Sequence, residues 1–238
     1  MSLETDLAAR LAGVRERIAR AAVASGRDPA GVRLVAVSKT YSAEHVRAAY
    51  AAGQRDFGEN RVQEALAKID ATSDLPLRWH LIGHLQSNKA RRAASSFPVI
   101  HSIDSVSLLE ALDHAAVAAG AEPEVLLQVD LAGETTKYGV PPEDLGPLLD
   151  AAASCRAARL AGLMLMPPFF DDPEAARPFF RRLRELRDEL RAAGRLPASA
   201  GHLSMGLSHD LEVAVEEGAT IVRVGTSIFG PRGLTPNA

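Results

Sequence analysis

Eight short apolar runs, each but the last followed by a helical stretch, predict a single α/β domain for this 238-residue chain. The expected architecture is one (β/α)8 barrel with an extra N-terminal helix. Three observations carry that prediction. The runs are continuously apolar rather than alternating, as in parallel strands buried on both faces. Eight strand-helix units fit the length available. The turn after the first run reads Ser38-Lys39-Thr40, with no G-x-G-x-x-G, which argues against an open doubly wound sheet.

The elements follow in order. Residues 3–25 read as one amphipathic helix closed by Gly26 and the Asp28-Pro29 turn, with 1–26 packed on the barrel. Strands are expected at 32–37, 56–60, 79–83, 99–104, 125–130, 160–166, 202–205 and 221–225. Helices are expected at 43–52, 61–69, 87–94, 106–119, 142–153, 173–193 and 209–217, with 173–193 the longest. Gly53, Gly120 and Gly194 stand where helices should stop. There is no linker or low-complexity tract, so residues 1–238 read as one domain.

Composition excludes several classes of function. With 47% hydrophobic and 24% charged residues the balance is that of a globular protein. No apolar run of about 18 residues is present, and the first 25 residues lack the apolar core of a signal peptide. The single cysteine, Cys155, excludes an internal disulfide and a cysteine-based metal cluster, and reads as a packed thiol. A net charge of −3 with scattered arginines argues against nucleic acid as a partner. The expectation is a cytoplasmic protein with no membrane contact and no metal, monomer favoured over dimer because no exposed apolar stripe stands out. The 27 basic residues divide into 23 arginines and only four lysines, Lys39, Lys68, Lys89 and Lys137. Arginine cannot lose its proton and attack a carbonyl, so each lysine is a candidate for chemistry.

Active sites of such barrels lie at the C-terminal ends of the strands. Those ends carry Lys39, Glu59-Asn60, Gly83-His84, Asp104, Asp130, Met166, Ser204-Met205 and Gly225-Thr226. Lys39 shares one strand face with Val35 and Val37, and an inward face would wrap its stem in apolar side chains. Desolvation there favours the neutral amine that a Schiff base requires. Taken alone, a lysine capping the strand and reaching into solvent is the simpler account. Lys68 and Lys89 fall in helices and read as surface charges, whereas Lys137 lies on the same rim as Lys39.

The loops LSMGLSHD and VGTSIFG follow strands seven and eight, where many barrels hold phosphate on backbone amides. They offer hydroxyls at Ser204, Ser208, Thr226 and Ser227; the bland alternative is helix capping by Ser208 or Asp210. Arg223 stands mid-strand with the parity of Gly225, either paired with Glu59, Asp104 or Asp130 or aimed at a ligand. A mouth lysine, a phosphate site and an inward arginine together suit an aldehyde that carries a phosphate, and pyridoxal 5′-phosphate (PLP) fits. An arginine facing the pyridine nitrogen would keep it unprotonated.

The blocks LVAVSKT, FGENRVQEA, WHLIGHLQSNK, HSIDS, the GLM of strand six, LSMGLSHDLEVAVEEG and VRVGTSIFGPR run in order across residues 34–232. They resemble the YggS/PROSC family of pyridoxal-phosphate homeostasis proteins, similar to the barrel domain of alanine racemase standing alone. The resemblance implies that Lys39 carries the cofactor as a Schiff base. It implies that Ser204, Gly225 and Thr226 hold the phosphate, with Arg223 near the pyridine nitrogen, Asn60 near the ring and Met205 also in the cofactor site. It implies a role in intracellular PLP homeostasis without turnover, with no catalytic residue and with PLP-dependent apo-enzymes as candidate recipients. The fifth-strand loop, DLAGETTKYG, departs from the family's asparagine-containing strand end and its serine before the lysine, which puts the rim around Lys137 in doubt. Tyr41 and Tyr138 are candidate acid/base groups, with packing the simpler role. The runner-up is an enzyme, a PLP-dependent racemase of low activity or a Schiff-base aldolase.

Overall fold

Strands β1 (Arg33–Val37), β2 (Asp56–Glu59), β3 (Arg78–Leu81), β4 (Val99–Ile103), β5 (Glu124–Val129), β6 (Arg159–Leu165), β7 (His202–Ser204) and β8 (Ile221–Val224) pair in chain order in the computed structural model, which describes residues 2–133 and 138–231. All pairs are parallel, and β8 pairs with β1 through Arg33↔Ile221, Leu34↔Val222, Val35↔Arg223 and Ala36↔Val224. The sheet is therefore the closed eight-stranded barrel that the apolar runs predict.

The helices are α1 (Leu3–Ala24), α2 (Ala43–Ala51), α3 (Val62–Ala71), α4 (Ala90–Ser96), α5 (Val106–Ala119), α6 (Leu145–Ser154), α7 (Arg177–Ala192), α8 (Leu211–Glu216) and α9 (Thr226–Phe229). Most boundaries fall within two residues of those read from the sequence. Four points differ. Helix α1, at 22 residues, is the longest, and 173–176 forms a separate 3-10 turn ahead of the 16 residues of α7. The turns at 87–89 and 142–144 are likewise 3-10, ahead of α4 and α6, and a short helix, α9, follows the last strand.

Two cores result from strand alternation. Inside the barrel lie Val35, Val99, Leu126, Ala161, Met164 and Ile221. Outside it, alternate strand residues such as Leu34, Ala36, Val222 and Val224 pack against the helices. Helix α1 buries Leu7, Leu11, Val14, Ile18, Ala21 and Ala22, an i, i+4, i+7 stripe laid on α2, α8 and α9. Arg27, just beyond it, donates to the carbonyls of Val215 and Ala219. Among the described residues no helix is long and apolar enough to cross a membrane.

One glycine is dictated by close approach. The β5–β6 register shifts at Ala161, and a Cβ on the next residue, Gly162, would lie 2.0 Å from the carbonyl oxygen of His202 on β7. That neighbour is backbone and cannot swing away. Gly162→Ala is expected to destabilise the barrel by about 3 kcal/mol or more, read as a fall in the thermal midpoint. A loss below about 1 kcal/mol would show that β6 and β7 separate easily.

Candidate active site

A cavity of ≈ 560 Å³ opens at the C-terminal ends of the strands, bounded by the segments after β1, β2, β3, β6 and β7 and by β8 and its following turn. Lys39, Asn60, Arg223, Gly225 and Thr226 all line it. Five of the seven site residues expected from the sequence are thus brought together.

Lys39 follows Val37 into the cavity, while Val35 sits in the inner core, so the inward face assumed for this strand is the observed one. The chain leaves β1 through Thr40 at φ 70, a conformation costing a β-branched residue about 1–3 kcal/mol. The turn is anchored from behind. Ser38 Oγ donates to Glu59 Oε1 at 2.6 Å, and Lys68 Nζ donates to the Ser38 carbonyl at 2.6 Å and to Glu59 Oε1 at 2.7 Å. Glu59 is fully buried and the Lys68 side chain only 12% exposed. The expectation of Lys68 as a surface charge is corrected: the helix turns it inward onto a carboxylate that sequence spacing does not reveal. Asn60 is held against Gly83, whose Cβ would meet the Asn60 carbonyl at 2.2 Å.

Arg223 is fully interior, and its partners are not carboxylates. It donates from Nη1 to Ser204 Oγ at 2.6 Å, and from Nη2 to the Leu165 carbonyl and Met166 Sδ, both at 2.9 Å. Burial pushes its pKa down to about 10, against the pull of Asp210, so it stays charged at neutral pH. The expected pairing with Glu59, Asp104 or Asp130 is not what forms. Ser204 is spent on this arginine and on His101, whose Nδ1 lies 2.8 Å away, and it does not line the cavity. Met205 does not reach it either. His202 and Ser204 point inward on β7, so alternation turns Met205 into the outer core.

The loops bring two hydroxyl residues to the cavity, Thr226 and Ser208, and Ser208 Oγ accepts from the amides of Gly225 and Ser227 at 3.3 Å each. These amides begin the turn into α9 and form a cradle of two N–H groups filled by the Ser208 hydroxyl. A Cβ on Gly225 would come within 3.3 Å of the Val37 carbonyl, so glycine keeps the cradle open beside β1. Arg17 of α1 supports it from outside, donating to the Ser208 carbonyl at 3.1 Å while paired with Glu212. Nothing in the sequence marks Arg17 for this. The apolar wall Pro167-Pro168-Phe169-Phe170 is likewise unmarked in the sequence as part of the cavity, and its Phe169 is 79% exposed at the mouth.

Other candidates are placed elsewhere or otherwise engaged. Tyr41 lines the cavity, but its hydroxyl donates to the Gly230 carbonyl at 2.8 Å and its ring stacks on Phe229. Tyr138 stacks on His84, centroids 3.7 Å apart, beside the His84–Asp104 pair. Lys137 lies outside the described residues. Cys155 is a capping residue of α6, and burial, reinforced by Asp113 and Glu110, pushes its thiol up to about 11, consistent with a packed, unreactive group. Among the described residues no cluster of three His, Cys, Asp or Glu side chains could hold a metal ion.

Below Arg223 a polar row crosses the barrel interior. His101 Nε2 lies 2.9 Å from His80 Nδ1, and His80 Nε2 lies 2.9 Å from Asp56 Oδ1. Burial, opposed by Asp56, lowers the pKa of His80; burial and then the neighbouring His80 and Arg223 lower that of His101 much further. Folded, both are neutral at pH 7; unfolded, they titrate near 6.5. The unfolded chain therefore binds more protons as pH falls through 6.5, and stability drops there by up to about 1.4 kcal/mol per pH unit per histidine. Thermal midpoints are expected to be flat above pH 7 and to fall below pH 6. A midpoint unchanged down to pH 5 would contradict buried neutral histidines.

Residues 10–233 match the family model of the alanine racemase N-terminal domain. The chain is 47% identical over 228 residues to the pyridoxal phosphate homeostasis protein of Pseudomonas aeruginosa, covering 96% of each chain. It is 45% identical over 223 residues to that of Aquifex aeolicus, covering 94% of this chain and 97% of the other. The solved structure of PipY from Synechococcus elongatus PCC7942 with PLP bound is 43% identical and superposes with a TM-score of 0.83, covering 94% of this chain and all of PipY (100%). By its strand order, its cavity and these likenesses, the chain belongs to the pyridoxal phosphate homeostasis proteins of the alanine racemase N-terminal-domain family.

Proposed function

We propose that the cavity binds PLP and that Lys39 carries it covalently, so that the protein holds the cofactor for intracellular homeostasis without turnover of its own. The observation that carries this reading is the convergence of a strand-end lysine, an amide cradle and an interior arginine on one cavity. The residues fit the group end for end. The amides of Gly225 and Ser227, with Ser208 and Thr226, suit the phosphate. Lys39 suits the aldehyde, Asn60 the ring and Arg223 the ring nitrogen. Bound PLP supplies an electrophilic aldehyde and a conjugated ring. The chain's own groups orient that ring, and Arg223, which has no lone pair to accept with, offers the ring nitrogen only donors.

Two groups that could move a substrate proton are engaged elsewhere, which supports the absence of turnover. The Tyr41 hydroxyl is held on the Gly230 carbonyl, and Tyr138 is stacked on His84 outside the cavity lining. The same reading takes the protein as a cytoplasmic monomer whose recipients are PLP-dependent apo-enzymes. The fold's racemase relatives keep one rival in view, a weak racemase.

Titration of cofactor-free protein with PLP is expected to saturate, at one equivalent, a visible band shifted to the red of free PLP. In deuterated water the loaded protein is expected to leave the α-proton of alanine in place. No visible band would defeat the binding site, and exchange at enzymatic rates would replace the carrier with a racemase.

A further inference from the structure

The row below the cavity has its protons fixed from both ends. Arg223 can only donate, so Ser204 Oγ accepts from it and keeps its hydroxyl proton to give to His101 Nδ1, the direction that the Asp56 end of the row requires. His101, neutral, then carries its proton on Nε2 and gives it to His80 Nδ1. His80 in turn donates from Nε2 to Asp56, a carboxylate that can only accept, and the order derived from that end is the same. His80, His101 and Ser204 are fully buried, so no water competes along the way. Asp56 opens β2, at the end of the barrel opposite the cavity, and is near Arg33 at 3.9 Å.

We infer that Ser204, His101, His80 and Asp56 form a polarised hydrogen-bond chain through the barrel that holds the Arg223 guanidinium and sets the positive charge it presents to the cavity. Asp56, remote from any ligand, thereby becomes a positioning residue for the site. The inference rests on the assignment of the cavity to PLP. Every N–H or O–H in the row points toward Asp56, so each bond draws electron density toward Arg223 and moderates its charge. Three of the five N–H groups of Arg223 are spent on Ser204, Leu165 and Met166, which fixes the plane of the guanidinium. A row that merely satisfied buried polar atoms would need an acceptor at its far end, but not a charged one.

Two measurements separate these roles. In cofactor-free protein labelled with 15N-histidine, long-range 1H–15N spectra are expected to show His80 and His101 both protonated on Nε2 alone. A proton on Nδ1 of either, or an imidazolium at neutral pH, overturns the chain. In the loaded protein, Ser204→Ala is expected to lower the pH midpoint of the visible band by about one unit and to move the 15N shift of the cofactor's ring nitrogen. Asp56→Asn keeps an acceptor for His80 but removes the charge, so it is expected to move both readouts in the same direction by a smaller amount. Loading and a normal melt in Asp56→Asn with both readouts at wild-type values would overturn the inference and leave a structural row. If Asp56→Asn fails to fold, the Ser204→Ala readouts and the tautomers decide. A wild-type protein that never gains the band defeats the cavity assignment and the charge role together, while the tautomer measurement still reports separately on the row.

Discussion

Lys39→Ala is expected to abolish the red-shifted visible band that covalent attachment gives the PLP-loaded protein, leaving the spectrum of free PLP, and to leave nothing for borohydride to fix to the chain. Lys39→Arg should do the same. It keeps a cation at the end of β1, but a guanidinium does not give up a proton at neutral pH and cannot attack an aldehyde. The pair of variants thus tests nucleophilicity rather than charge. The cradle at Gly225 and Ser227 is untouched by either change, so reversible binding of the phosphate end should persist, detectable by equilibrium dialysis. A full band in Lys39→Ala would move the attachment to another lysine. A band retained in Lys39→Arg alone would make the interaction purely electrostatic.

Lys68→Met is expected to cost about 3–5 kcal/mol, because it strands the charge of Glu59 in the interior with the Ser38 hydroxyl as its remaining partner. For a chain of this size that corresponds to a fall of roughly 6–20 °C in thermal midpoint. The same change removes the bond to the Ser38 carbonyl, one residue before Lys39, so PLP loading should weaken as well. The double variant Lys68→Met/Glu59→Gln, which removes the stranded charge, is expected to recover more than half of the lost stability. A single-variant loss below about 1 kcal/mol, measured by denaturant unfolding, would show that the pair behaves like an exposed one.

Period and parity made much of this legible in the sequence. Continuous apolar runs alternating with helical stretches point to the barrel, and alternation groups Val35, Val37 and Lys39 on one face and Arg223 with Gly225 on another, faces that the closed barrel turns inward. The same rule places Met205 outward, since its neighbour Ser204 points in. Ser204 has the right parity but the wrong depth: it lies beneath Arg223, and the hydroxyl at the cradle is Ser208, whose position depends on how two loops pack. Lys68 reads as a surface charge in the sequence because pairing between a helix and the strand before it leaves no local signature. Arg17 and the Pro167–Phe170 wall act through tertiary contacts of irregular segments, where no period exists to read.

The central claim is that one lysine of four was kept for its chemistry. Reduction of the PLP-loaded protein with borohydride, followed by proteolysis and mass mapping, tests it most directly. The predicted result is a bleached protein with a single phosphopyridoxyl group on the peptide containing Lys39. Label on Lys68, Lys89 or Lys137 instead, or no label on any peptide, would contradict it.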